Sequence, residues 1–179
     1  MTTEEIVISI VRLIGALFVL RWFVAGAIIA ILIDFSDLFL MNLLQLGGVQ
    51  DYQSLDKWLD LSYMGTFFYV STKKIQSSKY VSLGLFTFRL IGLLLFEITG
   101  YRWILLAFPN FFEVWFVISS IAIHKKQFKF NSKWGISLIL AAFLLKLLQE
   151  YVLHGARLLD KYRAIDIVEN IWQFVLQLL

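Results

Sequence analysis

Polar residues interrupt this chain at intervals close to the length of a membrane crossing. Residues 6–46 are almost continuously apolar, far more than the roughly 20 residues one crossing needs. A break at Arg21-Trp22, with Gly26 easing the turn, predicts a first helix over about 5–21 and a second over about 24–46. A single long tilted helix over 6–33 is the competing reading. A third helix is predicted over about 52–72, followed by the polar loop Lys73–Lys79. The fourth covers about 80–98 and the fifth about 102–123, joined by a tight turn at Thr99-Gly100-Tyr101. Pro109 falls inside the fifth helix, where a membrane helix tolerates it with a kink. After a basic loop over 124–133, a sixth helix covers about 134–153. The tail, 156–178, alternates apolar and charged positions, the pattern of an interfacial or partner-binding amphipathic helix. The expected architecture is therefore all-α: one integral, multi-pass membrane bundle of about six transmembrane helices with a C-terminal amphipathic helix.

Composition supports the membrane assignment. Hydrophobic residues make up 60% of the 179 positions and charged residues only 16%, more apolar surface than a soluble domain of this size can hide. The absence of cysteine excludes disulfides, thiolate metal sites and Cys nucleophiles. His124 and His154 do not form a zinc spacing. A net charge of +3 without a basic-aromatic motif argues against nucleic acid as a partner. Glu4 and Glu5 stand where a signal peptide would carry basic residues, so the first helix is expected to stay in the mature chain. The Lys-rich loops gather on one face of the bundle and the aspartates on the other, and the positive-inside rule puts the lysines in the cytoplasm.

Candidate chemistry concentrates in residues 34–60. Asp34 and Asp37 are three apart and Asp56 and Asp60 four apart, so each pair shares one helix face. Gly47 and Gly48 between the pairs let the chain fold back and bring the two acidic faces together. Converging carboxylates repel unless a cation lies among them. Asp51 and Asp56 also suit a loop and a helix start, but Asp34 and Asp37 sit inside an apolar helix, where a carboxylate marks a candidate functional site. Oxygen-only ligands favour Mg²⁺, Mn²⁺ or Ca²⁺.

This pattern, D-x-x-D followed by D-x-x-x-D, resembles the signature of the CDP-alcohol phosphatidyltransferases. That signature runs D-x-x-D-G-x-x-A-R and then G-x-x-x-D-x-x-x-D across the second and third of six membrane helices. Asp34 and Asp37 match the first pair, and Asp56 and Asp60 match the last pair with one residue inserted in the linker. Gly47 to Asp51 offers a competing match to G-x-x-x-D, which would make Asp51 an alternative ligand. The resemblance implies Mg²⁺ or Mn²⁺ held by Asp34, Asp37, Asp56 and Asp60, with Asp60 as general base for an acceptor alcohol. It implies a CDP-linked lipid donor and a role in phospholipid synthesis. The family's Gly, Ala and Arg are replaced by Leu38, Met41 and Asn42. Arg12 or Arg89 would then supply the missing phosphate contact, since Arg binds phosphate bidentately. The alternative is a non-catalytic membrane subunit that keeps the fold for packing, with membrane lipids and a second copy or a complex subunit as partners. A transporter using the acidic cluster as a cation path suits a chain this short less well.

Other polar positions inside the helices point to architecture. Arg89 and Glu113 are expected to pair between neighbouring helices, and Lys146 with Glu150 along one. His154 is expected to be solvated at a helix end, and the aromatics from Trp103 to Trp115 to pack and anchor at the interface.

Overall fold

The computed structural model describes residues 2–44, 52–75, 78–124, 132–156, 172, 173 and 176. The described elements are all helical: α1 (Thr3–Arg21), α2 (Phe23–Leu44), α3 (Tyr52–Lys73), α4 (Lys79–Thr99), α5 (Trp103–Ala107), α6 (Phe111–His124) and α7 (Lys133–Glu150). A π-helical turn, Tyr151–Gly155, continues α7.

The first helix begins earlier than the apolar run suggests because Thr2 and Glu5 form a capping box. The Thr2 hydroxyl accepts from Glu5 N–H at 3.2 Å, and the Glu5 carboxylate accepts from Thr2 N–H at 2.9 Å. Trp22, at φ −128° and ψ 92°, ends α1, and α2 starts one residue later. A single helix over 6–33 is thereby excluded. The return is tight enough that a Cβ on Gly26 would meet the Phe18 carbonyl at 2.6 Å, so this position needs a glycine. α1 and α2 then pack more extensively than any other pair, and α3 lies against α1.

The core joins both halves of the chain. Ala16 and Val19 of α1 and Ala27 and Ala30 of α2 pack with Tyr63, Met64, Phe67 and Val70 of α3 and with Phe112 and Phe116 of α6. Phe67 stacks on Phe116 with ring centroids 4.1 Å apart. Small residues on α1 and α2 allow close approach, while the aromatic rings supply dispersion that lipid tails cannot match in shape. A second cluster, Leu93, Phe96, Ile104 and Leu105, fixes α4 to α5. Gly100, at φ +69°, makes the turn between those helices in the left-handed region that glycine adopts without strain.

Two expectations are revised. Pro109 does not kink a continuous helix; it separates α5 from α6, because residues 108–110 leave the helical ladder. Three helical segments, not six, are long and apolar enough to cross a membrane by composition among the described residues: Lys79–Thr99, Trp103–Ile123 and Lys133–Gly155. α1 and α3 carry several charged residues each, the former Glu4, Glu5, Arg12 and Arg21 and the latter Asp56, Lys57 and Asp60, which lower their apolar character. Asp51, Gly47, Gly48, most of the Lys125–Lys133 loop and almost all of the 156–178 tail lie outside the described residues; Trp172, Gln173 and Leu176 are helical.

Candidate functional site

The four aspartates of the two motifs meet at one guanidinium. Arg12 stands mid-way along α1, and α1 packs against both α2 and α3. Its Nη1 donates to Asp37 Oδ2 at 2.9 Å and to Asp56 Oδ1 at 2.8 Å. Its Nη2 donates to Asp60 Oδ1 at 2.7 Å and to Asp34 Oδ1 in a short contact. Each nitrogen thus bridges one carboxylate from α2 and one from α3. The pairing 37 with 56 and 34 with 60 runs in opposite senses along the two helices, as antiparallel neighbours require.

Two more cations border the cluster. Lys57 Nζ donates to Asp56 and lies 3.8 Å from Asp60 Oδ2. Arg89 Nη2, from α4, is also 3.8 Å from Asp60 Oδ2, while its Nη1 donates to the Phe108 carbonyl at 2.8 Å. That carbonyl is one of those freed by the break at Pro109. Arg12 is 2% exposed and Asp37 fully buried, whereas Asp34 and Asp56 keep 22% and 17% of their side-chain surface. The cluster is therefore deep but reachable past Asp34 and Asp56.

Four carboxylates face three cations, a formal excess of one negative charge. Three buried atoms here also lack a hydrogen-bond partner: Asp37 Oδ1, Arg12 Nε and Arg89 Nε. An orphaned polar atom at this depth costs about 1–3 kcal/mol. Oxygens of Asp34, Asp56 and Asp60 lie within 4.8 Å of one another, a spacing that could hold a metal ion, with an all-oxygen donor set suited to Mg²⁺, Mn²⁺ or Ca²⁺.

A second buried polar network links α3, α6 and α7. Lys146 Nζ donates to Glu113 Oε2 at 2.9 Å and lies 3.9 Å from Glu150 Oε1. Asn110 Nδ2 donates to Glu113 Oε2 at 3.2 Å and to Tyr63 Oη at 3.1 Å, and Tyr63 Oη donates to Glu113 Oε2 at 3.4 Å. Glu150 Oε1 accepts from Asn110 N–H at 3.1 Å, and Glu150 Oε2 lies 3.3 Å from His154 Nε2. Two expectations change here. Glu113 takes Lys146 instead of Arg89, because Arg89 turns toward Asp60 and the Phe108 carbonyl. His154 is mostly buried against Glu150 and not solvated, because the π-turn continues α7 past its expected end.

All six sequence-predicted site residues within the described region, Asp34, Asp37, Asp56, Asp60, Arg12 and Arg89, come together; Asp51 lies outside it. Sequence reasoning missed that Arg12 is the hub, although an arginine midway along an apolar helix is itself a sign of buried anions. It also missed Tyr63, which stands one turn from Asp60 on the same face of α3. The chain matches no protein-family model, no curated protein and no solved structure.

Proposed function

We propose that this protein is a membrane enzyme that transfers a phosphatidyl or related phospho-group from a CDP-linked donor to an alcohol with a divalent cation. The observation that carries the proposal is the convergence of the D-x-x-D and D-x-x-x-D carboxylates on one buried point with more anions than cations. α1, α2 and α3 have 19, 22 and 22 residues, a length that reaches across the hydrocarbon layer. Asp34, Asp56 and Asp60, with the unpartnered Asp37 Oδ1, would hold Mg²⁺ or Mn²⁺. When bound, the ion neutralises the donor pyrophosphate and polarises its phosphorus.

The chain's own groups divide the remaining work. Asp60 Oδ2, held only loosely by Lys57 and Arg89 at 3.8 Å, accepts the proton of the acceptor hydroxyl. The acceptor oxygen forms the new P–O ester bond, the bond to CMP breaks, and CMP leaves with that electron pair. Arg89 and Arg12 each keep a buried Nε–H without a partner, a donor suited to a phosphate oxygen. The Pro109 break keeps Arg89 in place through the Phe108 carbonyl.

One observation favours a second reading, a non-catalytic membrane subunit. Arg12 already engages all four aspartates, as an architectural ion-pair lock would. CMP release by the purified protein in nanodiscs, with CDP-diacylglycerol, a panel of alcohols and Mn²⁺, separates the two. The enzyme reading expects turnover that falls about 10²–10⁴-fold in Asp60→Asn. It also expects a melting temperature raised by Mn²⁺, lowered by chelator and indifferent to both in Asp34→Asn. No release together with a metal-independent melt would leave the lock.

A further inference from the structure

A cavity of about 450 Å³ lies where the α4–α5 turn meets the π-turn after α7. Tyr101, Arg102, Trp103 and Leu106 form one wall and His154 and Gly155 the other. Its residues do not overlap with the acidic cluster. Two basic side chains from segments far apart in sequence therefore converge on one space. His154 is braced from behind, its Nε2 at 3.3 Å from Glu150 Oε2, and Glu150 is itself fixed by the Asn110 N–H at 3.1 Å. The π-helical register of residues 151–155 places His154 here, and such bulges recur at functional sites.

The surroundings identify the ligand class. Tyr101 and Trp103 are 62% and 64% exposed, and Ile98, just before them, is 80% exposed. Exposed aromatics at the ends of apolar helices sit at headgroup level, between hydrocarbon and water. A basic cavity at that depth, with Leu106 as an apolar wall, meets phosphate oxygens and the first carbons of a lipid together. We propose that this cavity is a binding site for an anionic phospholipid, with Arg102 and His154 receiving the headgroup phosphate and Glu150 positioning His154.

The test is native mass spectrometry and thermal unfolding of the full chain in detergent, titrated separately with phosphatidylglycerol, phosphatidylcholine and inorganic phosphate. Phosphatidylglycerol is expected to stay bound and raise the melting temperature, with phosphatidylcholine and inorganic phosphate doing neither. Arg102→Gln and His154→Gln are each expected to weaken phosphatidylglycerol binding about tenfold, while Arg102→Lys retains it. Equal binding of phosphatidylcholine would overturn the proposal, as would an equal effect of inorganic phosphate, which would make the site one for a free anion. Undiminished phosphatidylglycerol binding in the Arg102→Gln, His154→Gln double variant would place the lipid elsewhere and also overturn it. If that double variant does not fold, the wild-type lipid comparison and the Arg102→Lys protein still decide.

Discussion

Two buried polar regions lie in this bundle, and they differ in how fully their polar atoms are hydrogen-bonded. Around Arg12, four carboxylates meet three cations and three buried atoms have no hydrogen-bond partner. Around Lys146, two carboxylates meet Lys146 and His154, and Asn110 and Tyr63 complete the hydrogen bonding. A satisfied network of this second kind joins helices: Gly135, Lys146 and Glu150 are the buried residues of α7, whose apolar faces otherwise look outward. In hydrocarbon, apolar faces give little reason for two helices to associate, so a polar clamp does that work. An unsatisfied region of the first kind is costly as it stands and suits a ligand that completes it. Burial alone does not distinguish the two; orphaned atoms do.

Substitution of each hub tests that contrast most severely. Arg12→Ala leaves four buried carboxylates short of their central cation, and removing one partner of a buried ion pair costs about 3–5 kcal/mol. The expected outcome is a large drop in melting temperature that Mn²⁺ partly restores. A drop that no divalent ion relieves would remove the difference drawn between the two regions. Lys146→Met should cost about 3 kcal/mol by the same logic, with no response to Mn²⁺. The added change Glu113→Gln should recover most of that loss, because it removes the carboxylate left unpaired. Thermal unfolding of the single and double variants, with and without metal, reads both.

A smaller effect is expected at the contact joining the two regions. A Cβ on Gly92 would clash with the Phe108 side chain, beside the carbonyl that holds Arg89. Gly92→Ala should destabilise by about 1–3 kcal/mol through overpacking. If the acidic cluster depends on Arg89 being held in place, the variant should also weaken any Mn²⁺-induced rise in melting temperature. A stability loss with the metal response intact would make the two regions independent.

Much of the fold was legible because apolar runs of crossing length are a strong signal. The break at Arg21-Trp22, the α3 boundaries and the α4–α5 turn at Gly100 lie within a few residues of their expected places. The helix–helix pairings were not legible, since they depend on which faces meet. Arg89 could reach either Glu113 or Asp60 by sequence alone, and the position of the Phe108 carbonyl at the Pro109 break settles the choice. His154 looked like a solvated helix end because a π-turn leaves no mark in hydropathy.

By itself, the sequence determined the chemistry available to this protein: spacings of three and four put Asp34 with Asp37 and Asp56 with Asp60 on common helix faces, and the lack of cysteine left oxygen ligands. Those are local consequences of helical periodicity and composition. Only the tertiary structure decided that Arg12, more than twenty residues before the first of them, stands at their centre, and that Lys146 belongs to Glu113. Such pairings follow from the packing of α1 between α2 and α3 and of α7 on α6, where burial makes each charge seek the nearest opposite one.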